Sequence, residues 1–176
     1  MIPQPIIETK RLLLRPFDVE DAARVKLLAD DERIADVTAS IPHPYPEGLA
    51  ESWIMSHPVE WGNGKLAAFA IVLKEQDLLI GCITIMNIME HEGELGYWVG
   101  TDFWNNGYCS EACKSIVDFG FKFLKLNRIH AHHLSRNPAS GCVLLKSGLI
   151  HIGEGVIMCG YRKERESIEL YERVYT

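Results

Sequence analysis

The sequence predicts a single α/β domain, of the α+β kind, in which helices flank a mixed and mostly antiparallel central sheet. Strand-like and helix-like segments alternate in the order β-α-α-β-β-β-α-β-α-β-β. Three successive strand-like runs in the middle of the chain are typical of an antiparallel meander. No repeat, linker or low-complexity tract divides the 176 residues, so residues 1–176 are predicted to form one domain.

One strand and two helices are predicted in the N-terminal third. The segment RLLLRPF, residues 11–17, is a short apolar strand. Residues 18–31 start with Asp18 as a helix N-cap and repeat apolar residues along one helical face. After the proline-rich break at residues 42–48, the segment of residues 47–61 offers a second helix, which Pro58 is predicted to end.

The rest of the chain is predicted to supply strands at six places and two more helices. The strands are residues 65–74, 78–88, 93–100, 128–136, 149–155 and 169–176. Residues 110–124 form a helix with one apolar face despite Gly120, and residues 138–148 form a shorter one that ends at Gly148.

The overall charge narrows the class of partner. Lys and Arg total 18 against 24 Asp and Glu, which gives a formal charge of −6. An acidic chain is unsuited to broad contact with a phosphate backbone, so no direct nucleic-acid partner is expected and a cationic partner is mildly favoured. The sequence leaves a monomer and a homodimer equally open.

The five cysteines and the apolar runs indicate a cytoplasmic, soluble protein. The cysteines form no CxxC pair and lie mostly among apolar residues, so reduced thiols are expected. The N-terminal residues lack a cationic segment leading into an unbroken apolar stretch, and no apolar run approaches the roughly 18 residues of a membrane span. No membrane partner is therefore expected.

The turn of residues 102–110, DFWNNGYCS, stands directly before the predicted helix of residues 110–124. A helix N-terminus leaves backbone N–H groups without partners and carries a partial positive charge, so a glycine-containing turn there can hold phosphate oxygens. Gly107 removes a side chain where a ligand would approach, and Ser110 can add a hydroxyl. Ordinary helix capping is the alternative reading, and the turn alone does not decide between the two.

Three separated segments carry a resemblance to a known family. They are ETKRLLLRPFDVEDA at residues 8–22, GELGYWVGTDFWNNGYCSEA at residues 93–112 and NPASGCVLLKSGL at residues 137–149. In this order they resemble the GNAT acetyltransferase superfamily, and within it the branch of Rim-type acetyltransferases that modify ribosomal-protein N-termini. The resemblance covers nearly the whole chain.

The resemblance implies that acetyl-CoA is the cofactor and coenzyme A the product. In this family a [Q/R]-x-x-G-x-[G/A] loop binds the pyrophosphate, and here the matching residues read WNNGYC. The residues expected to bind are Asn105, Asn106, Gly107, Tyr108, Cys109 and Ser110. Trp104 and Cys109 depart from the pattern, and Cys109 places a larger side chain at its last position, so an intact loop with altered affinity is expected.

The family's fold implies an opening between the fourth and fifth strands, here Glu94–Val99 and Arg128–Arg136, into which the pantetheine arm inserts. Trp98 and Val99 are expected to contribute main-chain groups to the cofactor, since unpaired strand backbone can bond its amides. For the side chains of Tyr97 and Trp98, packing in the core is an equally good interpretation.

Asn137 and Ser140 match positions that, in the Rim-type branch, contact coenzyme A and protonate its sulfur. Capping of the helix at residue 138 by either side chain is the structural alternative. Many relatives outside the branch carry a tyrosine acid seven residues after the equivalent asparagine. That position is Leu144 here, which excludes a tyrosine acid from this helix.

Glu94 begins the strand at which some superfamily members carry a carboxylate base. Glu90, His91 and Glu92 lie close enough in sequence to compete for the role. An α-amine with a pKa of about 7.7 to 8.0 is roughly a tenth deprotonated at pH 7, whereas a lysine amine near 10.4 is almost fully protonated. A modest carboxylate base is therefore more compatible with an α-amine or another amine of low pKa.

Three histidines in RIHAHHL invite a metal-site interpretation. On a strand, His130 and His132 share one face and His133 takes the other, which is unfavourable for three ligands around one ion. No metal is therefore expected.

The sequence thus predicts an acetyl-CoA-dependent N-acetyltransferase that works by direct attack in a ternary complex. The expected acceptor is a protein N-terminal amine, with a small-molecule amine such as a polyamine, amino acid or antibiotic as the alternative. A non-catalytic acyl-CoA-binding module is the rival from another class. The acceptor pocket is expected near the two N-terminal helices and residues 39–48, where Tyr45 and Trp53 are candidates to line it.

Overall fold

The computed structural model describes residues 2–159 and 162–175. The strands are β1 Ile7–Glu8, β2 Leu12–Arg15, β3 Ala67–Leu73, β4 Leu78–Met89, β5 Glu92–Val99, β6 Arg128–Leu134, β7 Ile150–Cys159 and β8 Glu164–Val174. The α-helices are α1 Ala22–Ala29, α2 Glu32–Val37, α3 Leu49–Gly62, α4 Tyr108–Lys122 and α5 Pro138–Lys146. Short 3-10 helices occupy Val19–Asp21 and Thr101–Phe103.

The strands form one sheet in the order β1-β2-β3-β4-β5-β6-β8-β7. All neighbouring strands are antiparallel except β5 and β6, which are parallel. Helices α4 and α5 bury apolar residues in the larger core on one face, and α1 and α3 pack over a smaller cluster on the other. The predicted mixed and mostly antiparallel sheet flanked by helices is confirmed.

The parallel pair β5–β6 comes apart along its length. Its register covers only Glu92–Glu94 against Arg128–His130. Beyond these residues β5 remains paired with β4, and β6 remains paired with β8. The predicted opening between these two strands is therefore present, and the strand backbone that faces it lacks a partner strand.

Helix α3 corrects the prediction that Pro58 ends the second helix, because α3 continues to Gly62. A proline inside a helix removes one backbone hydrogen bond, so the second half needs other support. Trp61 supplies it: its indole N–H donates to the carbonyl oxygen of Ile2 at 2.8 Å, and its ring stacks on Phe123. Tertiary packing outweighs the local break.

The predicted and observed elements also differ in which short elements are present and in how long the last strands are. The sequence prediction missed β1 and α2, and α2 begins where the Asp31 side chain accepts the N–H of Arg33. The strands β7 and β8 are longer than predicted and start elsewhere, and Thr176, at the end of the last predicted strand, lies outside the described residues. None of the described helices is long and apolar enough to cross a membrane.

Candidate active site

The turn before α4 leaves a row of backbone donors free. Asn105 and Gly107 adopt left-handed φ values of 62° and 76°, and Gly107 occupies the N-cap position of the helix. The first bond of the helix runs from the Glu111 N–H to the Gly107 carbonyl at 3.1 Å. Within the described chain, the N–H groups of residues 105–110 donate to no protein acceptor. The predicted anion site thus has its donors available.

Arg11 lies over this turn and adds a positive charge to it. Its Nη1 donates to the Asn106 carbonyl at 2.9 Å, and its guanidinium carbon lies 4.5 Å from the centre of the Tyr108 ring. A Cβ placed on Gly107 would meet only Nη2 of Arg11, at 3.6 Å. The turn is therefore open to solvent on the side where an anion would approach, with a cation beside it.

Glu111, in the first turn of α4, binds the connection between β1 and β2. Its two oxygens accept from Thr9 Oγ1 at 2.6 Å and from Arg11 Nε at 2.7 Å. Burial alone would raise the pKa of Glu111, but these hydrogen bonds outweigh it and the pKa lies below its usual value. The carboxylate thus fixes Arg11 beside the turn.

Cys109 and Ser110 are the second and third residues of α4, and both are partly buried. The Cys109 side chain packs against the larger core, and burial raises the pKa of its thiol to about 12. The thiol therefore stays protonated at neutral pH. Its extra bulk relative to glycine or alanine is taken up by the core, so the turn keeps its shape.

At the C-terminal end of β5, the strand is tied to the turn. The indole N–H of Trp104 donates to the carbonyl oxygen of Val99 at 2.9 Å. Trp98 pairs with Cys82 of β4, and its side chain packs against the smaller core cluster. The main chain at Val99 borders the opening, with one lone pair of its carbonyl already used, whereas the Trp98 carbonyl oxygen lies against Gly81 of β4.

Ser140 lies in the first turn of α5 and contacts Tyr97 of β5. The hydroxyl oxygens of Ser140 and Tyr97 are 2.8 Å apart, and Tyr97 also donates to the Ser140 carbonyl at 3.0 Å. Because a phenol has one hydrogen, Ser140 is the donor in the shorter contact. Burial raises the pKa of Tyr97, so the phenol stays neutral.

Asn137 occupies the N-cap position of α5 without a side-chain capping bond. Its carbonyl accepts the N–H of Ser140 at 3.1 Å. The capping alternative for the Asn137 side chain is therefore not what the structure shows, and the amide is free to face a ligand.

Glu94 of β5 and His132 of β6 are in contact across the opening. Its Oε1 lies 3.0 Å from His132 Nδ1, and its Oε2 accepts from Asn87 Nδ2 at 2.9 Å. The hydrogen bond with His132 lowers the pKa of Glu94, the bond with Asn87 adds to this effect, and burial opposes it. Of the competitors named from the sequence, Glu92 is engaged with Arg128 at 2.7 Å.

The two groups of candidates lie on opposite faces of the sheet. Successive side chains along a strand alternate, so Glu94 and Tyr97 of β5 point to opposite sides. Tyr97 meets Ser140 on the face that α4 and α5 cover, and Trp98, on the face of Glu94, packs against the cluster beneath α1 and α3. The opening between β5 and β6 separates them.

The histidines of β6 do not converge on one point. His133 is buried, with Nε2 3.3 Å from the Tyr171 hydroxyl and Nδ1 2.8 Å from the Leu134 carbonyl. In the described ranges, no cluster of three His, Cys, Asp or Glu side chains could hold a metal ion.

The candidates from the N-terminal region belong to the smaller core cluster, to which Trp98 also belongs. Tyr45 is buried in the smaller core cluster, and its N–H donates to Asp30 Oδ1 at 2.6 Å. Trp53 packs edge-on against Phe17 and His57, with ring centres 5.1 Å and 4.4 Å apart. Both side chains are accounted for by packing.

The chain matches one family of known proteins over most of its length. The family model described as an acetyltransferase (GNAT) domain matches residues 11–150. The chain belongs to the GNAT acetyltransferase family. It is similar to the N-acetyltransferase YnaD of Bacillus subtilis, itself uncharacterized, at 32% identity over 81% of each chain. This GNAT chain is therefore an acyltransferase enzyme, not a silent binding module.

Solved structures support the same fold. One is a structure titled RimL, a ribosomal L7/L12 α-N-protein acetyltransferase in complex with coenzyme A, at 15% identity and a TM-score of 0.84, covering 97% of this chain and 98% of that one. Another is spermidine N-acetyltransferase from Vibrio cholerae with coenzyme A and spermine, at 17% identity and a TM-score of 0.79, covering 94% and 96%. The GNAT enzyme uses acetyl-CoA, as its family does.

The free N–H groups of the turn, the open side of Gly107 and the unpaired strand backbone fit this cofactor. Sequence reasoning missed three contributors: Arg11 beside the turn, Tyr97 beneath Ser140, and His132 beside Glu94. Arg11 and Tyr97 lie within the segments that resemble the family, but their contacts join residues far apart in sequence. The pairing of His132 needs the order of the strands.

Proposed function

We propose that this acetyltransferase modifies the α-amine of a protein N-terminus, with ribosomal proteins as the preferred class of acceptor. One observation carries the proposal: the carboxylate on the acceptor side, Glu94, has a lowered pKa and is held by two hydrogen bonds. Such a carboxylate is a weak base. It suits an α-amine, which is partly deprotonated near pH 7, better than a lysine or polyamine amine.

The cofactor is held by the chain at two places. The N–H groups of residues 107–110 and the guanidinium of Arg11 would bind its diphosphate, and Asn105 and Asn106 shape the turn. Trp98, Val99 and the side chain of Asn137 border the arm that reaches the opening. Acetyl-CoA supplies the acetyl group as a thioester, whose carbonyl carbon is the electrophile.

On the acceptor side, the chain removes a proton. The neutral amine forms a C–N bond to the acetyl carbon while the C–S bond breaks, and the proton that the nitrogen loses leaves toward the pair of Glu94 and His132. The acetyl group passes directly from sulfur to nitrogen, without a bond to the protein. The protein's part is to move protons, for which Glu94, Ser140 and Tyr97 are placed. The amine and thioester become an amide and a thiol.

On the opposite face, Ser140 returns a proton to the departing sulfur. Its hydroxyl hydrogen, which donates to Tyr97 in the structure, turns toward the sulfur when negative charge develops there. Tyr97 stays protonated because burial raises its pKa, so it can donate to the Ser140 oxygen in exchange. After the product leaves, solvent returns a proton to Ser140 and takes the amine's proton from the base on the other face, so the proton balance of the reaction is complete.

The acceptor class can be tested with matched peptides. Three acceptors are each incubated with acetyl-CoA at pH 7, and thiol release is measured. They are a peptide with a free N-terminal serine, the same peptide acetylated at that terminus but containing a lysine, and spermidine. The free serine peptide should be preferred by about tenfold or more over the blocked one, as the ionisation of the two amines predicts. Faster turnover of spermidine or of the blocked peptide would refute an α-amine acceptor.

We also place the enzyme in the cytoplasm, where its cofactor class is used. The free state of Cys82, Cys109, Cys113, Cys142 and Cys159 supports this placement, since unpaired thiols are typical of a reducing compartment. A fusion to a fluorescent protein that gave a cell-surface signal would contradict it.

A further inference from the structure

The position of His132 follows from the way β5 and β6 separate. Glu94 is the last residue of β5 that pairs with β6, and its register partner is His130. His132 lies two residues further along β6, where the strands have parted, and its side chain reaches back to Glu94 at 3.0 Å. The imidazole therefore stands inside the opening, with 30% of its side chain exposed.

The other charges facing His132 are already neutralised. Arg128, on the same face of β6, binds Glu92 of β5 and Glu172 of β8 at 2.7 Å each. Leu170 is the residue opposite His132 on β8, and it carries no charge. His130 is the remaining titratable group on this face of β6. Glu94 is thus the carboxylate that acts on His132.

The contacts between Glu94 and His132 also determine which ring nitrogen of His132 can accept a proton. Both oxygens of Glu94 are occupied, one by His132 Nδ1 and the other by Asn87. With Nδ1 donating to a carboxylate, the neutral ring carries its lone pair on Nε2, which has no hydrogen-bond partner among the described residues. Histidine is also the side chain whose ordinary pKa lies nearest to neutral.

We propose that His132 Nε2 receives the proton that the acceptor amine loses, and that Glu94 is the positioning residue that holds the ring. The assignment deepens the proposed acetyl transfer and rests on it. As the amine nitrogen bonds to the acetyl carbon, its proton passes to Nε2 and the imidazole becomes an imidazolium. Glu94 stabilises that positive charge, and solvent takes the proton after the product leaves.

The chain offers a matched control for this pair. His151 and Glu169 form a similar contact between an imidazole and a carboxylate, with Nε2 and Oε2 2.7 Å apart, between β7 and β8. It lies two strands away from the opening, so it has the same chemistry without the site. His151→Gln should therefore leave turnover unchanged.

The kinetic test compares the pH dependence of kcat/KM for the free serine peptide. In the wild-type enzyme kcat/KM should fall toward acid because the acceptor amine and His132 both take up protons, and His132→Gln should lower kcat by about 100-fold and leave only the acid limb that the amine contributes. Its Kd for acetyl-CoA should stay within about twofold, since a base contributes to the chemistry and not to cofactor binding. Unchanged kcat and pH profile in His132→Gln, or the same change of the acid limb in His130→Gln instead, would overturn the assignment.

A second readout does not depend on turnover. In protein labelled with 15N-histidine, the His132 ring should show the Nδ1-protonated neutral tautomer, and Glu94→Ala, which leaves no side-chain acceptor, should abolish that preference. The Nε2-protonated tautomer in the wild-type protein would overturn the assignment even with an active enzyme. Absence of thiol release by the wild-type enzyme with every acceptor would defeat the proposed function, and the proton role of His132 with it.

Discussion

The two sides of the β5–β6 opening carry different kinds of candidate proton-transfer groups. On the side of α5, Tyr97 and Ser140 are neutral hydroxyls joined at 2.8 Å, and burial keeps the phenol protonated. On the other side, the Glu94 carboxylate lies 3.0 Å from Nδ1 of the His132 imidazole. A group that must give a proton is kept neutral by burial, and a group that must take one is kept next to a negative charge.

The difference teaches why the strands must separate. Side chains at Glu94 and Tyr97 point to opposite faces, so in a closed sheet they could not act on the same molecule. Where β5 and β6 part, one reacting group can contact both faces through the gap. The opening therefore matters for proton transfer as well as for cofactor entry, and variants on each side should fail in different ways.

The largest effect should come from breaking the shared cofactor site. Gly107→Glu places a carboxylate beside the diphosphate position and forces a bulky residue into a left-handed φ of 76°. Like charges in contact cost several kcal/mol, so the affinity for acetyl-CoA should fall by about 1000-fold in isothermal titration. Turnover should then be lost, because the groups on both sides of the opening act only on bound acetyl-CoA.

Gly64→Glu is the control for that variant. Gly64 also has a left-handed φ, of 68°, and open space around its Cβ position, but it lies after α3 and outside the cofactor turn. Its substitution should cost folding stability without changing acetyl-CoA affinity. Equal affinity in the two glycine variants would show that the turn does not bind the diphosphate.

The next largest effect should follow from removing the proton donor. Ser140→Ala should lower kcat by about 100-fold, the size expected for loss of one general acid, while the Kd for acetyl-CoA changes little. Turnover is measured by thiol release at saturating peptide. Raising the pH should not restore activity, because the missing group acts on the sulfur and not on the amine.

Ser147→Ala provides the comparison on the same helix. Ser147 is buried at the end of α5, and its hydroxyl donates to the Val143 carbonyl at 2.8 Å. It should affect stability and leave kcat near that of the wild type. If both serine variants lost turnover equally, the effect would come from a loosened helix and Ser140 would have no separate role.

Local chemistry was enough to predict much of this arrangement. Asn105 and Gly107 were expected in turn geometry and have left-handed φ values, and the strands on either side of residues 75–77 pair as predicted. The rule that a proline ends a helix failed at Pro58, because the packing of Trp61 is not visible in a local window. Local rules thus held where neighbours in sequence decide the structure.

The candidate site shows where local reasoning stops. Ser140 and Glu94 were predicted as site residues from the sequence and stay predictions, while their contacts with Tyr97 and His132 depend on which strands and helices lie side by side. His130 and His132 share a face on any strand, and only the sheet shows that His130 is the register partner of Glu94 while the side chain of His132 reaches its carboxylate. Register is a property of the whole sheet, so single-sequence patterns cannot supply it.

The smallest expected effect distinguishes unfolding of the protein at acid pH from inactivation by protonation of His132. Both would lower the activity as the pH falls. His57 of α3 is buried among Phe17 and Trp53, and neither ring nitrogen has a hydrogen-bond partner in the described part of the chain. Burial lowers its pKa to about 4, whereas an exposed histidine titrates near 6.5.

Below pH 6.5 the unfolded chain thus binds a proton that native His57 excludes. Its contribution to the free energy of unfolding should fall as pH drops from 6.5 toward 4, by about 2 kcal/mol between pH 7 and pH 5. His57→Leu should remove that part of the slope in urea denaturation at the two pH values, and His151→Gln, at an exposed site, should not. Because His57 lies outside the opening, His57→Leu should keep the acid limb of kcat/KM that His132 contributes; loss of that limb would assign it to unfolding and not to His132.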